Sequence, residues 1–233
     1  MPDHTYKQFD QELEEVRSGF LQMGGLVESQ ISAAIAALNS GDMTEIDRVI
    51  ARDEEVNQYE LKLDEQCVQI LALRQPAAQD LRMLITVTKM ITDMERSGDE
   101  AEKIARMAKR IHEAGWVNMP RVELQHMAST VLGMLRQALD AFARLDAQAA
   151  AQVVRRDKGV DAEWQGMIRQ LVTYMIEDPR TISRSIELLF VCKALERIGD
   201  HAKNMSELVI YMIKGRDVRH SGVDNVEREA SSD

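Results

Sequence analysis

The chain has little of what disulfide scaffolds, β-sheets, membrane spans or nucleic-acid surfaces require. It holds two cysteines, Cys67 and Cys192, among 233 residues. They form no Cys-x-x-Cys pair, so a reduced, cytoplasmic thiol is expected rather than a disulfide. Aromatic residues are 4% of the total, which disfavours strands. The formal net charge of -10 excludes a phosphate-backbone partner and weakens direct binding to anionic lipid. No run approaches the ~18 apolar residues that span a bilayer, and the start of the chain lacks a charged-then-apolar signal pattern. Any membrane role is therefore expected to pass through a partner. There is no Gly-rich phosphate loop, no nucleophile elbow and no defensible Ser/His/Asp order.

What is present is helical. Apolar residues make up 45% of the chain, with Ala, Leu, Ile and Met prominent. Only four prolines occur, and Pro76, Pro120 and Pro179 fall between long periodic segments. Asp42 with Glu45 has capping-box spacing, and Asp178 precedes Pro179 as an N-cap. These signals predict six helices, at 6–38, 43–73, 77–113, 121–144, 147–176 and 180–214. Beyond Gly215 the periodicity is lost, which predicts a flexible tail over 215–233.

The six helices are two copies of three. Glu95-Arg96-Ser97-Gly98-Asp99 recurs as Glu196-Arg197-Ile198-Gly199-Asp200. Arg52-Asp53-Glu54-Glu55-Val56-Asn57 recurs as Arg156-Asp157-Lys158-Gly159-Val160-Asp161. Asp53 and Asp157 lie 104 positions apart (157 minus 53), as do Asp42 and Asp146. Ile31, Ala34, Ile35 and Leu38 fall on Leu135, Ala138, Leu139 and Phe142, the i, i+3, i+4, i+7 stripe of an amphipathic helix. Later the offset drops to 101, from Glu95 to Glu196, which fits a shortened connection near Pro179. The expected architecture is all-α, with a first three-helix repeat at 6–114 and a second at 121–214, joined through 115–120.

The duplicated acidic residues are the candidate site. Positions i and i+4 share a helix face, so Glu95 with Asp99, and Glu196 with Asp200, project together at the border of the apolar stripe. Carboxylates crowded there repel and lose hydration, so one takes up a proton unless a cation compensates. Asp53 with Asn57, and Asp157 with Asp161, supply further oxygens at the same spacing. An oxygen-only set suits Mg, Ca or Mn, or Fe. Zinc does not fit, because the five histidines and two cysteines form no ligand-spaced cluster. The plainer alternative is a solvated helix face, with Arg96 paired to Glu100 at i, i+4 spacing. Gly98 and Gly199 would admit a neighbouring backbone or a ligand. Arg106, Lys109 and Arg110 read as an exposed basic face. The lone Glu123-x-x-His126 has no counterpart for a di-iron bundle, so His126 reads as a surface or packing residue.

Together these motifs resemble the PhoU family of phosphate-uptake regulators. The two Glu-Arg-x-Gly-Asp phrases, the second running on through His201-Ala202-Lys203-Asn204, are similar to its paired signatures. The Arg-Asp-x-x-Val phrases and Pro76-Ala77-Ala78-Gln79-Asp80-Leu81-Arg82 are similar to its other motifs. The resemblance covers roughly residues 6–214. It implies a non-enzymatic, cytoplasmic and often homodimeric protein, peripheral at the inner membrane through its partners. It implies a negative regulator of the phosphate regulon that links the phosphate ABC transporter, through its ATPase subunit, to a phosphate-sensing histidine kinase. It also implies metal ions on Glu95, Asp99, Asp157, Asp161, Glu196 and Asp200, with Asp53 in support. Asn57 departs from the acidic pattern, and Asp178–Arg184 departs from the Pro76 segment. The rival expectation is a carboxylate-rich helical bundle with metal-storage or oxidoreductase activity.

Overall fold

The computed structural model describes residues 2–115, 120 and 122–232. The described residues form seven α-helices in order: α1 Pro2–Ser40, α2 Met43–Arg74, α3 Ala78–Glu113, α4 Leu124–Arg144, α5 Ala147–Glu177, α6 Ile182–Lys214 and α7 Val223–Ser231. A 3₁₀ turn, Pro179–Thr181, leads into α6. No strand occurs among the described residues. The architecture is two tandem three-helix bundles, α1–α3 and α4–α6. The joint expected at 115–120 lies mostly outside the described residues.

The helix starts follow the capping chemistry. Asp42 Oδ1 accepts from the backbone N–H groups of Thr44 and Glu45, and Asp146 Oδ1 accepts from Ala149. Asp178 accepts from the Arg180 N–H at 3.0 Å, so a single turn of 3₁₀ helix precedes α6. That turn, 179–181, stands where the first half has 75–80, and this shortening is the local form of the changed repeat offset. Gly41, at φ +71°, permits the tight turn between α1 and α2.

Each amphipathic helix buries its stripe in one shared core. Ile31, Ala34, Ile35 and Leu38 are buried, as are Leu135, Ala138 and Phe142. Methionines fill the gaps between branched side chains, with Met23, Met90, Met94, Met134 and Met205 fully buried. Burying each large apolar side chain contributes about 1.5–3 kcal/mol before chain entropy is subtracted. α3 and α6 run through the centre and pack against each other, so the halves do not form separate cores. Phe20 of α1 meets Phe142 of α4 edge-to-face, with ring centroids 5.1 Å apart. Arg136 also reaches Glu28 across the halves at 2.7 Å.

Both cysteines are buried and unbridged. Burial pushes the Cys192 thiol up to about 12 and raises that of Cys67, which suppresses the reactive thiolate in both. His126 and the basic group of α3 take surface partners. His126 is exposed and pairs with Glu163 at 2.9 Å. Arg106, Lys109 and Arg110 pair with Glu102, Asp47 and Glu187.

The chain's end differs from the expected flexible tail. Val223–Ser231 forms α7, which packs on α5 and α6 and buries Val226 and Ala230, with Val218 buried in the lead-in. Arg155 anchors it to α5 through Glu227 at 2.6 Å. Nine residues carry too few apolar positions for periodicity to stand out in sequence. The helix is held by the surface it covers, because an isolated helix this short is unstable in water.

Candidate metal centre

Within each half, the second and third helices lie side by side, and their acidic faces meet. In the first half, Asp53, Asn57 and Glu60 of α2 face Glu95, Asp99 and Glu102 of α3. Gly98 sets the separation: a Cβ there would lie 3.1 Å from Val56 Cγ1. In the second half, Asp157 and Asp161 of α5 face Glu196 and Asp200 of α6. Here a Cβ at Gly199 would meet Val160 at an ordinary 3.5 Å. At both glycines a valine of the adjacent helix, Val56 or Val160, is the nearest neighbour, and no backbone approaches as near.

The electrostatics of the first cluster are repulsive. Burial raises the Glu95 carboxyl to about 7, and the charges of Asp99, Glu60 and Asp53 add to the effect. Burial also raises Asp53, with Glu102 and Asp99 pushing the same way. Glu60 is raised by burial and then by Asp64 and Asp99. Asn57 Nδ2 donates weakly to Asp53 Oδ2 at 3.4 Å, while Asp53 Oδ1 is buried with no hydrogen-bond partner.

The second cluster is tighter. Asp157, Asp161 and Asp200 each offer an oxygen, all within 4.8 Å of one another. Asp157 is only 2% exposed, and Lys203 Nζ donates to its Oδ2 at 2.6 Å. Glu196 is 7% exposed and accepts from Lys193 Nζ at 2.6 Å. Burial raises Asp200 to about 6, helped by Glu196 and Asp157. Burial opposes the charge on Lys203, yet its bond to Asp157 and the charges of Asp157, Glu207 and Asp200 hold its ammonium above the ordinary value.

The arginines of the repeated phrases behave differently from the expected pairing. Glu100 is buried and accepts from Lys103 at 2.8 Å and from Arg197 Nη1 at 3.2 Å, not from Arg96. The reason is tertiary: α6 brings Arg197 across the bundle interface to a carboxylate that its own helix does not supply. His201 likewise bonds Asp93 across the same interface at 2.9 Å. Between α3 and α6 lies a polar cleft of about 580 Å³, bounded by Arg96, Asp99, Arg197 and Asp200.

All seven residues expected from sequence lie in the two clusters. Asp53, Glu95 and Asp99 meet in one, and Asp157, Asp161, Glu196 and Asp200 in the other. Glu60, Glu102, Lys193 and Lys203 were missed. Extending the i, i+4 pattern by one step to i+7 reaches Glu60 from Asp53, Glu102 from Glu95 and Lys203 from Glu196. Gln30, on α1, has no such sequence signal. The oxygen-rich donor sets, together with the orphaned buried oxygen of Asp53, fit a hard cation better than an apolar ligand.

Comparison with known proteins places this arrangement. The PhoU domain model matches residues 20–108 and again 124–209, one match per bundle. The phosphate-specific transport system accessory protein PhoU homolog of Pseudomonas putida is 51% identical over 226 residues, covering 97% of this chain and 88% of the relative. The phosphate-specific transport system accessory protein PhoU of Escherichia coli K12 is 43% identical, covering 97% of this chain and 93% of the relative. The crystal structure of PhoU from Pseudomonas aeruginosa superposes with a TM-score of 0.86 at 50% identity, covering 89% of this chain and 100% of that one. That of the phosphate transport system regulatory protein PhoU from Streptococcus pneumoniae gives 0.83 at 29% identity, covering 90% and 99%. With two domain matches spanning most of its length and relatives of this identity along nearly all of it, the chain belongs to the PhoU family.

Proposed function

We propose that this chain is a non-enzymatic accessory protein of a phosphate-specific transport system. The carrying observation is full-length identity of 43–51% to relatives named for that role. The finer reading follows the family resemblance. The chain represses the phosphate regulon by holding the transporter's ATPase subunit and a phosphate-sensing histidine kinase in one assembly when phosphate is abundant. It acts as a homodimer in the cytoplasm and reaches the membrane through these partners. No helix among the described residues is long and apolar enough to cross a membrane.

This reading gives the exposed apolar residues a use. Val68, Leu81 and Ile85 at one hairpin end correspond to Val172, Ile182 and Ile186 at the other, and all six are exposed. Phe190 adds a ring that is 54% exposed to the second set. Grouped apolar side chains of this kind suit protein docking. Retention of the ATPase subunit on immobilised protein tests the assembly. An Ile186→Asp/Phe190→Asp double variant should lose most retention while keeping its helical circular dichroism. Undiminished retention would remove this face from the docking reading.

Divalent or iron-type cations are proposed on the two carboxylate clusters. A bound cation would neutralise the crowded carboxylates and so stabilise the folded bundle, by binding it and not the unfolded chain. Asp53, Glu95 and Asp99 would hold it in the first half, and Asp157, Asp161, Glu196 and Asp200 in the second. A storage or oxidoreductase role is the alternative use of the same residues. An oxidase assay on iron-loaded protein separates that alternative from the accessory role, which predicts no turnover.

A further inference from the structure

The second cluster carries cations of its own, and the first does not. Positions 101 apart on α3 and α6 should match by duplication, and Glu95, Arg96, Gly98 and Asp99 do. Three neighbours on the same helices do not: Thr92 corresponds to Lys193, Glu102 to Lys203 and Arg106 to Glu207. The i, i+4 ion pair Glu102–Arg106 is thus replaced by Lys203 and Glu207, with the charges exchanged end for end, and Lys203 pairs with Asp157 instead.

The exchange reverses what each cluster sees. Lys203 places its ammonium on Asp157 at 2.6 Å, and Lys193 places one on Glu196 at 2.6 Å. Four carboxylates there share two internal cations. In the first half Glu102 faces Asp53 as a further negative charge, and Thr92 supplies none. Among the described residues, the cations set beside Asp53, Glu60, Glu95, Asp99 and Glu102 are the exposed guanidiniums of Arg96 and Arg106.

The hydrogen-bond inventory shows the same inequality. Gln30 of α1 is fully buried; its Nε2 donates to the Val49 carbonyl at 3.4 Å, its amide eases the charge on Asp53 by hydrogen bonding, and its Oε1 has no partner. That oxygen is 3.4 Å from where a Cβ on Gly98 would sit, against the turn that carries Glu95 and Asp99. Gln30 Oε1 and Asp53 Oδ1 are therefore two buried acceptors without donors in one cluster. Leaving such a group unsatisfied is destabilising, and a cation satisfies both at once. In the second cluster, no carboxylate oxygen of Asp157, Asp161, Glu196 or Asp200 is orphaned in this way. Three of those carboxylates converge, as anions do around a positive charge already in place.

We propose that the clusters are unequal cation sites: the first takes an external hard cation with Gln30 Oε1 among its ligands, and the second is held by Lys203 as a resident cation that an external ion must displace. This rests on the cation reading given above. It makes Lys203 the residue that sets occupancy, and it makes the first-half site the one that fills.

Titration of Mn²⁺ into chelator-stripped, full-length protein tests it, with bound ion read by calorimetry and by electron paramagnetic resonance. One tight class of site is expected. Asp53→Asn should abolish it, Gln30→Leu should weaken it roughly tenfold, as losses around a metal site do, and Asp157→Asn should leave it in place. Lys203→Gln should add a second tight class and make the melting temperature rise further with Mn²⁺. Loss of tight binding in Asp157→Asn but not Asp53→Asn would overturn the inference and leave the cation reading intact. So would an unchanged number of ions in a folded Lys203→Gln variant. Failure of the wild type and every variant to bind Mn²⁺ would reject both. The Asp53/Asp157 pair decides the order of filling even if the lysine variant does not fold.

Discussion

The first half of the molecule and the second share a backbone plan and differ in how they neutralise it. Both place a carboxylate pair on the third helix against oxygens on the second. In the second half, lysines from the same helix reach back to Asp157 and Glu196, and the carboxylates gather. In the first half the equivalent positions, Thr92 and Glu102, are neutral and acidic. Duplication therefore copied the positions of the anions but not their compensation. The lesson is that a repeated motif predicts where charge is placed; what balances the charge depends on neighbours that drift independently.

The largest effect should come from the contact that makes the halves one body. Phe142→Ala removes the ring set edge-to-face against Phe20 and should cost about 3–5 kcal/mol, measured by urea denaturation. The transition should remain single. Two resolved transitions would show that the halves unfold as separate units and would break the comparison at its base.

A smaller effect distinguishes the two glycines. Gly98→Ala forces a Cβ to 3.1 Å from Val56 and should destabilise by about 1–3 kcal/mol. Gly199→Ala meets only ordinary contacts and should be neutral or stabilise by up to about 1 kcal/mol through helix propensity. Equal losses in thermal melts would mean that the helix spacing is the same in both halves.

The pH dependence should be smaller still. Glu95 is raised to about 7 and Asp200 to about 6 in the folded chain, from ordinary values of 4.5 and 3.8. The folded state then binds more protons than the unfolded state between those values. Stability falls as pH rises through that window, and this contribution is fully present only below it. The melting temperature of chelator-treated protein should therefore drop from pH 5 to pH 8, by these two groups alone. Glu95→Gln should flatten the upper part of the curve. A melting temperature that rises with pH in the wild type, with no change in slope for the variant, would show that Glu95 is not held protonated.

The mildest change concerns the terminal helix, which only the second half carries. Val226→Asp should release α7 from α5 and expose the chain beyond Gly215 to proteolysis, with little loss of global stability. Unaltered cleavage would mean that Val226 burial does not anchor the helix.

Much of this was legible in sequence because duplication gave each motif an internal control. The six long helices, their caps and the shared stripe of Ile31 and Leu135 follow from a 3.6-residue period that local physics enforces. The seven acidic positions followed from i, i+4 geometry, which holds within any helix. Gln30 was invisible because a single buried amide has no period, and its meaning depends on α1 crossing the α2–α3 seam. Spacing alone pairs Glu100 with Arg96, whereas Arg197 reaches it from 97 positions away. Nothing local encodes that approach. The last helix was missed for the complementary reason: its order comes from the groove it fills.

The amino-acid order alone determined that the chain is helical, doubled and acidic along facing helix edges, because each of these properties is set by residues within a turn or two of one another. Tertiary packing decided which anions share a site and which lysine answers them. It also decided where a buried oxygen is left without a donor. Those outcomes depend on distances between helices, and such distances are fixed only when side chains such as Val56, Phe142 and Leu195 close the core.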